Sequence, residues 1–141
     1  MKIAIINGPN LNLVGVREPH IYGTTSLTDY LESLRSKYPN VEFSFFQSNH
    51  EGDLIDEIQI QGFECEGIVL NAGALTHYSY ALADAVRAVE TPVIEVHISD
   101  VNAREPFRRI SVIKDACVAV IAGFGLKSYD MAVEWFIENA N

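Results

Sequence analysis

Short, almost wholly apolar runs alternate along this chain with longer stretches whose apolar residues recur every three or four positions. The runs at residues 2–7, 41–47, 67–71, 92–97 and 117–123 are rich in β-branched and aromatic side chains and nearly free of charge. Such runs are expected of parallel strands covered on both faces. Between them, residues 26–37 carry Leu27, Tyr30, Leu31 and Leu34, and residues 50–61 carry Leu54, Ile55, Ile58 and Gln61. Both spacings predict a helix with one apolar stripe. Residues 76–89 and 127–138 read the same way, the last marked by Met131, Val133, Trp135 and Phe136.

Strand–helix alternation implies a parallel sheet with right-handed crossovers. Five strands in 141 residues predict one α/β domain, a flavodoxin-like, doubly wound five-stranded parallel sheet in a three-layer α/β/α sandwich. A barrel of eight strands needs a longer chain. The Gly-, Pro- and Asn-rich stretch from Gly8 to Gly23 is the one long loop, and residues 14–23 are read as a lid with Gly15 and Gly23 as its hinges.

Charge narrows the class of partner. A formal net charge of −9 provides no general positive field for nucleic acid or an anionic membrane. An anionic small molecule needs only a local cluster, and Arg104, Arg108 and Arg109 lie close together in the chain. Cys65 and Cys117 form no CxxC pair and no disulfide scaffold is expected; Cys117 sits in an apolar run, so a buried, reduced thiol is expected there. The opening MKIAIING is too short for a secretory signal and no run approaches membrane-spanning length, which makes a cytoplasmic location the expectation.

In an open parallel sheet, ligands bind beyond the carboxyl ends of the strands. Those ends read Asn7-Gly8-Pro9-Asn10, Gln47-Ser48-Asn49, Asn71-Ala72-Gly73 and Glu95-Val96-His97-Ile98-Ser99. Asn, Ser and Gly are good turn formers, and that explains any one position. Four strand ends together, with a histidine among them, favour a site. Glu95 and His97 are two apart in a strand and project from one face. A carboxylate beside an imidazole fixes its tautomer and favours its charged form, which makes His97 a candidate general acid; alternatively the pair is a satisfied core histidine. In the long loop, Arg17 near Tyr22 favours the phenolate and makes Tyr22 a candidate base; an exposed cation–π pair is the alternative. His20 and His50 read as surface residues.

There is no GxxxxGK[ST], HExxH or GxSxG motif and no metal-spaced Cys/His cluster. Gly123-Phe124-Gly125 lies at the last strand rather than the first and reads as a tight strand-to-helix turn.

Four motifs, in order and spanning nearly the whole chain, resemble those of the type II 3-dehydroquinate dehydratases (type II dehydroquinases). They are Ile6–Asn12 with Arg17-Glu18-Pro19 and Tyr22-Gly23; Gln47–Gly52; Leu70–His77; and Glu95–Ser99 leading to Arg104-Glu105 and Phe107-Arg108. The resemblance implies a lyase of the shikimate or quinate pathway that converts 3-dehydroquinate to 3-dehydroshikimate by anti elimination of water through an enol or enolate, without metal, cofactor or Schiff base. Matched position by position, Tyr22 is the base, Arg17 holds it as phenolate, His97 is the acid with Glu95 orienting it, and Asn10 positions a water. Asn71, Ser99 and the N–H groups of Ile98 and Ser99 bind the substrate carboxylate, while His77 and Arg108 bind ring hydroxyls. Asp84 reaches a neighbouring subunit's site, with Arg104 as its partner. The family's assembly, a dodecamer built as a tetramer of trimers, is implied as well. The sequence departs from the family at Asp100, where Asn is common, and at Lys127-Ser128-Tyr129, where Gly-Tyr is usual; the first bears on substrate binding and the second on helix packing. A non-catalytic flavodoxin-like binding module is the main rival reading, and a Schiff-base lyase using Lys127 is a second.

Overall fold

A computed structural model describes residues 1–16, 20 and 24–140. Five parallel strands, β1 (Lys2–Asn7), β2 (Glu42–Gln47), β3 (Gly67–Asn71), β4 (Val93–His97) and β5 (Ala119–Ala122), form one sheet in the order β2-β1-β3-β4-β5. The helices are α1 (Leu27–Lys37), α2 (Glu51–Gln61), α3 (Tyr80–Ala88) and α4 (Lys127–Glu138). The expected flavodoxin-like three-layer sandwich is therefore present.

The alternation of inward residues along each strand splits the core in two. Ile3, Ile5, Val69, Ile94 and Val96 meet Leu27, Leu31 and Leu34 of α1 and Tyr129, Val133 and Phe136 of α4. Ala4, Ile6, Ile68, Leu70 and Val93 face the other way, onto Leu54 and Ile58 of α2 and Leu82, Ala83 and Val86 of α3. The central strands are buried on both sides, which is why they read as unbroken apolar runs. On α4 the inward stripe is Tyr129, Ala132, Val133 and Phe136, so Met131 is out of phase and 37% exposed. Lys127-Ser128-Tyr129 packs well, since Ser128 and Tyr129 are both fully buried.

Two expectations need correction, the helix at 76–89 and the stretch from Gly8 to Gly23 as the one long connection, since residues 98–118 form another. The predicted helix at 76–89 is two elements. A tight 3-10 turn, Gly73–His77, is followed by α3 from Tyr80. Ser79 separates them because its side chain accepts the Leu82 N–H as a helix cap. The break lets His77 point away from the stripe that α3 buries. In addition, β4 and β5 are joined without an α-helix. Residues between them fold as three short 3-10 turns, Val101–Ala103, Pro106–Arg109 and Lys114–Ala116.

Both cysteines are free and half-buried. Burial is the main cause that pushes the Cys117 thiol up to about 12, leaving almost no thiolate near neutrality. Native protein should therefore resist iodoacetamide at Cys117 near pH 8 and react there only once unfolded; rapid native labelling, read by mass spectrometry, would contradict this. Among the described residues no helix is long and apolar enough to cross a membrane.

Candidate active site

The sheet order reverses between β1 and β3, so their following loops part and open a crevice at the carboxyl edge. The two strand ends are tied beneath it. The Tyr129 hydroxyl, from α4, donates to Asn7 Oδ1 at 2.5 Å and accepts from Asn71 Nδ2 at 3.0 Å. Asn71 Oδ1 accepts the Gly73 N–H at 3.2 Å, which fixes both ends of its amide. The Gly8 N–H donates to the Asn71 carbonyl at 2.8 Å. A side chain at Gly8 would place its first carbon 2.6 Å from the Ala72 carbonyl oxygen, so only glycine permits this approach.

Asn10 follows with φ 69°, the left-handed region that asparagine tolerates better than most residues. Its N–H donates to Asn49 Oδ1 at 2.9 Å, and Gln47 Nε2 donates to the same oxygen at 3.2 Å. The polar end of β2 thus holds the turn after β1.

From β4, Glu95 and His97 project together, as their spacing predicts. His97 Nε2–H donates to Glu95 Oε2 at 2.6 Å, with the two side chains only 8% and 2% exposed. Ser111 Oγ donates to the other carboxylate oxygen at 2.7 Å. With Nε2 occupied, Nδ1 is the nitrogen of His97 left for a ligand.

His77 stacks near His97, ring centroids 6.3 Å apart and planes 16° from parallel. Its Nδ1–H donates to the Ile110 carbonyl at 2.6 Å, so Nε2 carries a lone pair. Burial, the largest cause, lowers its pKa below the usual imidazole value, and the ring is neutral at pH 7. Because the folded value lies below the unfolded one, the unfolded chain binds more protons between them. This contribution to stability is full above about pH 6.5 and is lost as the pH falls through the folded value. Urea denaturation between about pH 5 and pH 8 should show wild type losing more stability on acidification than His77→Gln. Parallel curves would mean that folding leaves the His77 imidazole titrating as it does in the unfolded chain.

Asn10, Asn71, His77, His97, Ile98, Ser99, Arg104 and Arg108 line one narrow cleft of about 90 Å³, together with Pro9, Leu11, Gly73, Ala74 and Val101. Arg108 is steered by its Nε donating to Glu105 at 2.6 Å and by the Phe107 ring, 4.8 Å from the guanidinium carbon. Ile98, Ser99 and Arg104 also line a wider adjoining groove of about 730 Å³. A groove of about 690 Å³ beside Met1, Cys65 and Trp135 collects none of the candidate groups.

Glu95 stands behind His97 and does not itself line the cleft. Asp84 is not in the cleft; α3 holds it at the surface, 82% exposed and 3.9 Å from Arg87. Asp100 is exposed, and its carboxylate accepts the Asn102 N–H at 3.0 Å as the cap of a 3-10 turn, a contact that Asn would make as well. His20 and His50 are at the surface as expected. Arg17, Tyr22 and Gly23 lie outside the described residues, although the base of their loop is visible. Gly15, at φ 95°, lies so near Thr24 that an added carbon would sit 2.9 Å from the Thr24 carbonyl oxygen, so the loop's two ends meet.

Sequence reading did not find Ser111 or the bridging role of Tyr129. Ser111 stands 16 residues beyond Glu95 in an irregular segment, where no periodicity marks it. Tyr129 had a signal, its phase on the inward stripe of α4, but that signal shows burial and not what its hydroxyl touches.

Comparison with known proteins gives the class. The family model "Dehydroquinase class II" matches residues 1–137, and the chain belongs to that family. It is 54% identical over 135 residues to the 3-dehydroquinate dehydratase of Caldicellulosiruptor bescii, covering 94% of this chain and 93% of that one. It is 52% identical over 140 residues to the 3-dehydroquinate dehydratase of an Exiguobacterium species, covering 99% and 96%. Among solved structures, the type II dehydroquinase from Butyrivibrio crossotus superposes with a TM-score of 0.93 at 49% identity, covering 97% of each chain.

Proposed function

We propose that this chain is a 3-dehydroquinate dehydratase of the shikimate pathway, a hydro-lyase that converts 3-dehydroquinate to 3-dehydroshikimate and water. The observation that carries the reading is the buried His97–Glu95 pair at a cleft also lined by Asn10, Asn71, His77 and Arg108, in a chain of the class II dehydroquinase family.

A proton next to a ketone is weakly acidic, so the enolate must be met by aimed donors where water is scarce. Tyr22, kept as phenolate by Arg17, takes the C2 proton, and the electron pair passes to the carbonyl oxygen as the enolate forms. Asn10 positions a water against that oxygen. The enolate then collapses, the C1–O bond breaks, and His97 Nδ1 delivers the proton that lets the hydroxyl leave as water on the opposite face. Glu95 holds the imidazolium. Asn71, Ser99 and the N–H groups of Ile98 and Ser99 bind the carboxylate. His77 accepts from a ring hydroxyl through its Nε2 lone pair while Arg108 donates to another. Asp84, presented at the surface, completes the site of a neighbouring subunit with Arg104 as partner, within a dodecamer located in the cytoplasm.

The test is the ultraviolet absorbance of purified protein mixed with 3-dehydroquinate. The product is a conjugated enone and absorbs where the substrate does not. A rise that chelator leaves unchanged and that Tyr22→Phe abolishes is expected. No rise from folded, oligomeric protein would favour a binding module built on this scaffold.

A further inference from the structure

We propose that Ser111 is a positioning residue for the general acid, and that the segment Ile110-Ser111 sets both imidazoles of the cleft at once; this rests on the reading of His97 as that acid. The polarity of the hydrogen bonds makes the case. The Lys114 N–H donates to Ser111 Oγ at 3.1 Å, which occupies a lone pair and turns the hydroxyl hydrogen toward Glu95 Oε1, 2.7 Å away. His97 Nε2–H takes Oε2 at 2.6 Å. The terminal torsion of a glutamate is soft, but here each oxygen is held by its own donor. Glu95 is 1% exposed, so water is poorly placed to replace a missing donor.

The neighbouring residue does the same for the second ring. The Ile110 carbonyl accepts His77 Nδ1–H at 2.6 Å, and the Val112 N–H donates to the Thr76 carbonyl at 2.9 Å. Ile113, fully buried, roots the segment in the core. Three consecutive residues therefore stitch the turn carrying His77 to the strand carrying Glu95 and His97. The near-parallel stacking of the imidazoles follows from this shared backing.

Three proteins test it: wild type, Ser111→Ala and Ser111→Thr, each read by dehydration kinetics and by nitrogen NMR of histidine-labelled protein. Read where its imidazole is neutral, wild-type His97 should show one tautomer with the proton on Nε2. Ser111→Ala should lower kcat about tenfold, as for one hydrogen bond to a charged group, with KM changed less than about twofold. Its His97 resonances should move toward the average of the two tautomers. Ser111→Thr keeps the hydroxyl and should recover most of kcat and the single tautomer. A merely structural serine would alter melting and leave the tautomer unmoved. The proposal is overturned if Ser111→Ala keeps the wild-type kcat and His97 signal, or if Ser111→Thr is as impaired as Ser111→Ala. If wild type itself does not dehydrate the substrate, the proposed function fails, and the tautomer comparison alone decides whether Ser111 orients the pair.

Discussion

His97→Gln is expected to lose about 10²–10⁴-fold in kcat, the usual contribution of one positioned proton donor, while remaining close to wild type in stability. Glutamine carries an amide N–H near the place of His97 Nε2, so the buried carboxylate of Glu95 keeps a donor there as well as Ser111. It has no group that can release a proton at Nδ1. His97→Ala should lose the same activity and also about 1–3 kcal/mol of stability, because it removes one of the two donors to a carboxylate that is 2% exposed. The comparison separates chemistry from folding: urea denaturation gives the stabilities and single-turnover absorbance gives the rates. Substantial turnover by folded His97→Gln would show that the proton reaches the departing hydroxyl from elsewhere.

The second large effect is expected at Tyr129→Phe. Removing one oxygen leaves the benzene ring in place on the inward face of α4 but takes a donor from Asn7 and an acceptor from Asn71, both of them buried. Buried polar groups left unmet cost about 1–3 kcal/mol, and no room for a replacement water is created by so small a deletion. The functional consequence lies in Asn71. Its amide is oriented by Tyr129 at one end and the Gly73 N–H at the other. With one anchor gone, the side chain that lines the cleft is free to turn, and KM should rise more than kcat falls. Substrate titration alongside denaturation checks both parts. Wild-type KM in a destabilised variant would confine Tyr129 to the fold.

These two residues show how unevenly the molecule could be read from its chain. His97 and Glu95 were accessible because strand geometry makes residues two apart share a face, and because a strand's carboxyl end is where this class of sheet binds ligands. The central strands were plain, since burial on both faces leaves little besides apolar side chains. The helix expected at 76–89 was misjudged because no Gly or Pro between Thr76 and Val89 marks a break; the break depends on Ser79 capping α3. The segment between β4 and β5 offered no period at all. Its 3-10 turns are held by specific side chains, such as the Asp100 carboxylate on the Asn102 N–H.

By itself, then, the sequence determined the layers, the edge where the site forms and most of the side chains that line it, because hydrophobic period and strand ends are local properties of neighbouring residues. It also placed the chain in its family through four ordered motifs. Only the tertiary structure decided what holds those side chains in position: Tyr129 across Asn7 and Asn71, Ser111 behind Glu95, and the Ile110 carbonyl behind His77. Those contacts join residues 16 to 122 positions apart. A hydrogen bond over such a separation depends on where the folded backbone brings its two ends, and no local pattern records it.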